Sequence, residues 1–273
     1  MCSVYVPSAG GVQANTLLVD AGSLPGTQDA DVGIGYDIVF DHDGDGLLGV
    51  GDVIDGRSKR AGVYVVRDTV APGPHDVVEV FYDGGAWLDQ DIYYPTDVAN
   101  LGELPLVVVS HGNGHNYTWY DHIGYHLASY GYVVMSHSNN TGPGIESASQ
   151  TTLTNTDHFL GNLDVIDGGA LQGHVDGSRI VWIGHSRGGE GITRAYDRLF
   201  DADFVPENYT IDDIRLLSSI APTVFFKKAL SHPHKANFHL WVGSADSDVT
   251  GGPDNPVVQS FTLLERANGK RLA

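Results

Sequence analysis

Short, continuous apolar runs alternate with stretches of helical periodicity from residue 104 onward. The runs occupy residues 104–109, 132–135, 179–183, 214–220 and 238–242. Uninterrupted apolar runs of this length are typical of strands buried on both faces of a parallel sheet. Apolar residues at helical spacing follow the first and third runs, as Trp119, Ile123, Leu127 and Tyr130 and as Ile192, Ala195, Tyr196 and Leu199. We therefore predict an α/β fold, with a mostly parallel central sheet flanked by helices and a site at the carboxyl ends of its strands.

The first 75 residues follow a different pattern. They are rich in Gly, Asp and Ser and contain only short apolar pieces, which predicts a loop-rich N-terminal extension with a few short strands. The turn-prone segment 71–74 (APGP) marks its end. Beyond it, residues 77–82 and 87–94 are typical of a hairpin, since the glycines of the joining Asp-Gly-Gly permit the positive φ of a tight turn. The sequence predicts an extension over residues 1–75 and one α/β domain over residues 76–273.

The charge of the chain excludes several classes of partner. Asp and Glu outnumber Lys and Arg by 34 to 15, which gives a formal net charge of -19. Such a chain repels phosphate backbones and anionic membrane surfaces, so we expect no nucleic-acid partner. No apolar run approaches the ~18 residues of a membrane helix, so we expect no membrane insertion. Cys2 is the only cysteine, which excludes an internal disulfide.

Ser186 is the candidate nucleophile. The segment Gly184-His185-Ser186-Arg187-Gly188 runs directly from an apolar strand into a helix, which is the setting that a G-x-S-x-G motif requires. A strand-to-helix turn this sharp strains the serine backbone, and glycines two positions to either side leave room for it. The hydroxyl is then presented at a helix N-terminus, whose dipole favours developing negative charge.

A loop of small residues, Ser110-His111-Gly112-Asn113-Gly114, is the candidate oxyanion-binding element. Acyl transfer needs two backbone N–H donors aimed at the carbonyl oxygen as it becomes an anion. We expect one donor from Arg187, the residue after the nucleophile, and the other from Asn113, with Gly112 letting the chain approach the substrate. A simple glycine-rich connection between strand and helix is the alternative interpretation.

Two carboxylates follow the last apolar run. Asp246 is the preferred acid of a catalytic triad, and Asp248 is the runner-up, since spacing does not separate them. In enzymes whose nucleophile lies in a G-x-S-x-G turn between a strand and a helix, the catalytic histidine comes after the acid, on a loop that follows a further strand. All 13 histidines of the chain precede Asp246. The sequence therefore predicts a domain that is truncated before its last strand and its catalytic histidine.

Earlier histidines are a less favoured source of the base. Those near the last apolar run or the expected active-site end of the sheet are His232, His234 and His239, and His111, His115 and His185. We expect His111 and His185 to shape loops or the substrate cleft instead. His122 and His126 are four residues apart on a predicted helix, without the other ligands that a zinc site needs.

Residues 41–52 match a calcium-loop template, with acids at positions 1, 3, 5 and 12 and a glycine at position 6. A hard cation takes about six to eight oxygen ligands, and this spacing lets one tight loop supply them. The predicted ligands are Asp41, Asp43, Asp45, the backbone carbonyl of Leu47, and Asp52. We expect a structural Ca²⁺ that braces the extension, which suits an extracellular protein. A solvated acidic loop is the alternative.

These motifs resemble those of the α/β-hydrolase superfamily. The segments HGNG, GHSRGGEG and GSADSD, each after a strand, are similar to the bacterial secreted esterase and lipase branch. That branch includes cutinase-like polyester hydrolases, dienelactone-hydrolase-like proteins and platelet-activating-factor acetylhydrolase relatives. The resemblance spans roughly residues 77–250 and implies carboxylic ester hydrolysis through an acyl-enzyme on Ser186, with Asp246 orienting a histidine and no cofactor in catalysis. The loop at residues 41–52 resembles a dockerin-type calcium repeat, although a single copy argues against cohesin binding.

Three functions are open at this point. The first is a secreted serine ester hydrolase acting on a small-molecule or polymeric ester, although no secretory signal is visible in the chain. The second is a non-catalytic calcium-binding or adhesion protein that keeps a hydrolase scaffold. The third is acyl transfer to an alcohol instead of water. Residues 138–156, where we expect lid and pocket loops, have no periodic pattern, so the acyl and alcohol preferences are not predicted.

Overall fold

A computed structural model describes residues 34–54, 63–65, 69–227, 229–243, 248–249, 261–269 and 271–272. The chain divides into two units, Met1–Ala71 and Pro72–Ala273. The division falls within the segment 71–74, close to the boundary that the sequence places after residue 75.

Two small antiparallel strand pairs lie in the described part of the first unit. β1 (Ile34–Tyr36) pairs with β4 (Val63–Val65), and β2 (Val39–Phe40) pairs with β3 (Val53–Ile54). The acidic loop at residues 41–52 connects β2 to β3, so it closes a short hairpin whose strand residues are exposed.

An eight-stranded sheet organises the second unit. Its strands are β5 (Val77–Tyr82), β6 (Gln90–Pro95), β7 (Leu104–Ser110), β8 (Val133–His137), β9 (Val175–His185), β10 (Ile214–Ile220), β11 (Phe238–Trp241) and β12 (Arg271–Leu272). They lie in the order β12-β11-β10-β9-β7-β8-β6-β5. β6 is antiparallel to both of its neighbours, and all the other pairs are parallel. The predicted fold class, a mostly parallel central sheet with flanking helices, is confirmed.

Two edges of the sheet differ from the prediction. β5 and β6 pair antiparallel as expected, but β6 begins at Gln90 because Trp87 adopts a φ of 63° in the connection and cannot continue a strand. At the opposite edge, we expected no strand after residue 242, whereas β12 pairs in parallel with the first two residues of β11. A strand of two residues is too short to leave an apolar pattern in the sequence.

Both faces of the sheet are covered, which explains the continuous apolar runs. Along β7, Leu106 and Val108 belong to the apolar cluster on one face, and Val107 and Val109 to the cluster on the other. The helices are α1 (Asp121–Ala128), α2 (Ile145–Gly161), α3 (Arg187–Phe200) and α4 (Phe261–Arg266). α1 contributes to the second cluster, and α2, α3 and α4 contribute to the first. None of the helices in the described ranges has the length and apolar character of a membrane span.

Helix α2 occupies most of the stretch that we expected to form loops. Its buried face carries polar side chains, so the apolar residues of this segment do not recur at helical spacing. The buried polar residues are Ser149, Thr151, Thr152, Asn155 and Thr156. Several of these groups donate to backbone carbonyls one turn earlier in the same helix, as Thr152 does to Ala148 (3.1 Å) and Thr156 to Thr152 (2.8 Å). Because their hydrogen bonds are made locally, these residues can be buried without apolar character.

Candidate active site

Ser186 lies at the turn between β9 and α3. Its backbone has φ 54° and ψ -120°, a strained conformation for a residue with a side chain. An added Cβ at Gly184 would lie 2.4 Å from the carbonyl oxygen of Gly188, and one at Gly188 would lie 2.2 Å from that of Ser110. The two motif glycines are therefore required by space, because neither position has room for a methyl group.

Backbone hydrogen bonds hold this turn from two sides. The N–H of Ser186 donates to the carbonyl of Ile220 at the end of β10 (2.9 Å). The carbonyl of Ser186 accepts from the N–H of Gly189 in α3 (2.9 Å) and from that of Thr223 in the loop after β10 (3.2 Å). The side chain of Ser186 is half-buried. Its strained backbone is thus fixed by α3 and by the loop that follows the neighbouring strand.

The loop at residues 110–114 faces Ser186 directly. An added Cβ at Gly112 would lie 3.0 Å from the Cβ of Ser186 and 2.8 Å from Nδ1 of His185. Asn113 follows on the same loop, and its side-chain Oδ1 accepts from Nη1 of Arg187 (3.2 Å). The structure therefore brings together Gly112, Asn113, Ser186 and Arg187.

The side chain of Arg187 connects three segments around Ser186. Besides Asn113, its Nη1 donates to the carbonyls of Thr141 (2.8 Å) and Gly142 (3.2 Å). Its guanidinium lies 5.7 Å from the ring centroid of Phe225. The guanidinium forms no ion pair in the part of the chain that the structure describes. It therefore places a positive charge beside Ser186 in a chain of strongly negative net charge.

Tyr120 is a hydrogen-bonding centre beneath the 110–114 loop. Its hydroxyl accepts from the N–H of Gly112 (3.3 Å) and bonds to Nδ1 of His115 (3.1 Å) and Nδ1 of His185 (3.0 Å). Burial raises the pKa of this tyrosine. Because the hydroxyl has one proton to give, at least one of the two imidazoles must donate to it. Tyr120 thus connects the loop to the last residue of β9, next to Ser186.

His111 and His137 are buried, and both ring nitrogens of each are occupied. His111 accepts from the N–H of Asn139 at Nε2 (2.9 Å) and bonds to the carbonyl of Gly112 at Nδ1 (2.8 Å). His137 bonds to Oγ of Ser110 (2.8 Å) and to the carbonyl of Ser138 (3.0 Å). Burial lowers the pKa of His111 and lowers that of His137 to about 3. These two imidazoles stay neutral and support the loop, which leaves neither free to take a proton from Ser186.

The histidines just before and on β11 have partners other than Ser186. Nε2 of His234 lies 2.6 Å from Oδ1 of Asp197, and its ring stacks on Phe200 at 3.8 Å. His232 stacks on His234, and His239 lies on β11. All 13 histidines lie in the described ranges, and none of them hydrogen-bonds to Oγ of Ser186. The structure therefore does not assemble a serine–histidine dyad from these residues.

Asp246, the preferred triad acid, lies outside the described residues, as do residues 244–247 as a whole. Asp248, the runner-up, is described and exposed. β11 ends at Trp241, and Asp248 follows it in the chain.

Glu190 is a residue of the site that the sequence analysis missed. It is fully buried in the first turn of α3, where it accepts from the N–H groups of Phe225 (2.8 Å) and Phe226 (2.7 Å) and from the hydroxyl of Thr223 (2.9 Å). Burial raises the pKa of this carboxyl group. Glu190 anchors the same loop that donates to the carbonyl of Ser186. In the sequence, an acidic residue near a helix N-terminus is typical of favourable helix electrostatics and so gave no sign of this role.

Two groups of three carboxylates have oxygens within 4.8 Å of one another in the described ranges. They are Asp41, Asp43 and Asp45 in the first unit and Glu79, Asp91 and Asp121 in the second. His122 and His126 belong to neither group. The first group contains three of the predicted calcium ligands.

The acidic loop is organised by its own carboxylates. Asp41 accepts from the N–H groups of Gly46 (2.8 Å) and Gly44 (2.7 Å), which lower its pKa, and both glycines have positive φ. Asp52 accepts from the N–H groups of His42 (2.9 Å) and Gly49 (2.7 Å). Asp52 therefore does not join the group of three, and Leu47 is exposed. The donor set of carboxylate oxygens fits a hard cation.

Comparison with known proteins finds a family similarity over part of the chain. The model of the PET hydrolase-like family matches residues 68–203, which include the 110–114 loop and Ser186. No curated protein matches the chain. The chain has an α/β-hydrolase fold, and its residues 68–203 are similar to the PET hydrolase-like family.

Proposed function

We propose that the protein is a serine carboxylic ester hydrolase that acts through an acyl-enzyme on Ser186. The observation that carries the proposal is the position of Ser186. It lies on a strained strand-to-helix turn, and a Cβ added at Gly112 would lie only 3.0 Å from the Cβ of Ser186. Strain of this kind, held by surrounding structure, is typical of functional residues. The similarity to the PET hydrolase-like family supports the same reaction class.

The proposed reaction has two stages. Oγ of Ser186 attacks the ester carbonyl carbon, and its proton passes to a general base, which returns a proton to the departing alcohol. The backbone N–H groups of Asn113 and Arg187 stabilise the negative oxygen of the tetrahedral intermediate. Water then cleaves the acyl-enzyme by the same route. Donors of this kind are each worth about 10²–10³ in rate when they are correctly placed.

The base is the part of the machinery that the described residues do not provide. We propose that Asp246 orients the histidine that serves as this base, which is the role of the acid in G-x-S-x-G hydrolases. A hydrolase without its base keeps only the rate enhancement from oxyanion stabilisation and substrate binding, about 10³–10⁴ over water.

Exposed aromatic rings near Ser186 support an apolar or polymeric ester as substrate. Trp119 is 59% exposed, and its ring packs on His115, which in turn contacts the ring of His185. Phe225 is 45% exposed and lies beneath the guanidinium of Arg187. Aromatic side chains supply a large apolar contact area where they take part in binding. We propose that the two rings contact the acyl or alcohol chains of the ester.

Covalent labelling tests the proposal. A fluorophosphonate probe applied to the folded protein should label Ser186, with loss of labelling in Ser186→Ala. Ser178→Ala, which changes an exposed serine on β9, is the matched control and should label normally. Absence of labelling in the folded protein would overturn the proposal and favour a non-catalytic scaffold. Product analysis with added alcohol separates hydrolysis from acyl transfer.

We also propose that the loop at residues 41–52 binds a structural Ca²⁺ and that the protein works outside the cell, where free calcium is plentiful. Three carboxylates within reach of one ion support the first part. Calcium should raise the melting temperature of the first unit, and Asp43→Ala with Asp45→Ala should abolish the rise. An unchanged melting temperature under chelation would contradict the proposal. Fractionation of the producing cells tests the compartment.

A further inference from the structure

Three carboxylates meet at the junction of β5, β6 and α1. Glu79 lies on β5, Asp91 on β6, and Asp121 is the first residue of α1. One oxygen from each lies within 4.8 Å of the others. Two oxygens bound to one calcium ion at about 2.3–2.6 Å can be at most about 5 Å apart, so this spacing fits a shared cation.

The hydroxyl of Tyr93 lies among these carboxylates and cannot satisfy them all. Its oxygen is 2.7 Å from Oδ2 of Asp91, 3.2 Å from Oδ1 of Asp121 and 3.3 Å from Oε1 of Glu79. A phenol donates a single proton, so only one of these contacts can be its hydrogen bond. Tyr125 donates to the second oxygen of Glu79 (2.6 Å). In the contacts that lack this proton, the phenol oxygen and the carboxylate oxygen repel each other unless a further positive species lies between them.

Asp91 supplies an independent sign that something is bound. The residue is fully buried, and its Oδ1 has no hydrogen-bond partner. A buried carboxylate oxygen without a partner is strongly unfavourable. In the described part of the chain, no ion pair involves any of the three carboxylates. The negative charge of the cluster is therefore balanced by no basic side chain there.

We propose that Glu79, Asp91 and Asp121 bind a divalent, oxygen-preferring cation of the calcium type. Oδ1 of Asp91 is its buried ligand, and exposed Asp121 gives it a path from solvent. The cation joins the antiparallel edge of the sheet to the N-terminus of α1, the helix that follows Tyr120. Burial, with Glu79 and Asp121 adding, raises the pKa of Asp91 to about 6, so a proton on this carboxyl is the competing means of neutralisation. This site is separate from the loop at residues 41–52 and independent of ester hydrolysis.

Terbium luminescence distinguishes a cation from a proton. Tb³⁺ is bound by the same oxygen ligands as Ca²⁺, and the rings of Tyr93 and Tyr125, 5.1 Å apart, would transfer excitation energy to an ion at the cluster. The measurement uses the full chain with Asp43→Ala and Asp45→Ala, which removes the acidic loop as a source of signal. We expect a saturable luminescence that Ca²⁺ displaces.

Variants in this background locate the ion. Asp121→Asn, on the surface, and Glu79→Gln should each weaken Tb³⁺ binding by about tenfold or more, because ligand charge sets the affinity of such sites. Glu103→Gln, an exposed carboxylate elsewhere in the same unit, is the matched control and should bind as before. Circular dichroism checks that each variant is folded. Lack of saturable binding, or equal affinity in Asp121→Asn, Glu79→Gln and the control, overturns the proposal and assigns the neutralising role to a proton.

Discussion

Replacing Gly112 by alanine tests the contact between the 110–114 loop and the nucleophile turn. The φ of Gly112 is not among the positive values, so alanine can adopt its backbone conformation without strain. The added Cβ would lie 2.8 Å from Nδ1 of His185 and 3.0 Å from the Cβ of Ser186, whereas ordinary contact begins at 3.4 Å. The loop must therefore move away from Ser186 by about half an ångström.

That movement displaces the N–H of Asn113, the proposed oxyanion donor. Misplacement of a catalytic group by about 1 Å costs on the order of 10²-fold in rate, and complete loss of one donor costs about 10²–10³-fold. We expect kcat to fall by about 10- to 100-fold in Gly112→Ala. The free energy of unfolding should change by about 1 kcal/mol or less, since the loop can shift while the sheet below it stays packed.

Acylation kinetics with a chromogenic ester, together with the rate of fluorophosphonate labelling, measure the effect on the first chemical step. Gly142→Ala is the control, because a Cβ there meets nothing within 4 Å and φ is not positive. If the acylation rates of Gly112→Ala and Gly142→Ala are both within about twofold of the rate of the parent protein, the loop does not provide an oxyanion donor.

Three further predictions concern the supports of the site. Tyr120→Phe removes the hydroxyl that bonds Gly112 and His185, and we expect kcat to fall about tenfold with a smaller change in KM, measured by steady-state kinetics. Glu190→Ala leaves buried N–H donors without an acceptor and should lower the free energy of unfolding in urea by about 3 kcal/mol or more, whereas Glu190→Gln keeps one acceptor oxygen and should lose less. His137 has a folded-state pKa of about 3 against an ordinary value of 6.5, so between these pH values the unfolded chain takes up a proton that the folded chain does not. The contribution of His137 to stability is complete above pH 6.5, and the free energy of unfolding should fall by about 1.4 kcal/mol per pH unit below it. Urea titrations at several pH values measure this slope, and an equal slope in the parent protein and His137→Asn would contradict the assignment.

The sheet and the nucleophile turn could be predicted because their constraints are local. β7 and β9 are buried on both faces, which leaves continuous apolar runs in the sequence. The turn at Ser186 needs glycines at fixed offsets, so the motif is visible in five residues. α3 follows it with one apolar face, and its periodic residues Ile192, Ala195, Tyr196 and Leu199 are all buried.

The features that the sequence did not reveal depend on contacts between distant segments. The buried face of α2 is polar, so the spacing of apolar residues does not reveal this helix in the sequence. Glu190 acquires its role only when the loop after β10 folds against α3. Likewise, Glu79 and Asp91 come together through the antiparallel pairing of β5 with β6, and strand register is not encoded in either segment alone.

The backbone bonds of Ser186 also have a consequence for folding. Its N–H donates to the carbonyl of Ile220, and its carbonyl accepts from the N–H of Thr223. The carbonyl of Ser110 packs closely against Gly188 of the same turn. Until those remote segments have docked, nothing holds the serine in its strained conformation. Its hydroxyl is then as unreactive as a serine hydroxyl in an unstructured peptide. If Ser186 is the proposed nucleophile, its reactivity should therefore emerge late, when the chain completes its tertiary structure, and a nascent or partly unfolded molecule should not cleave esters.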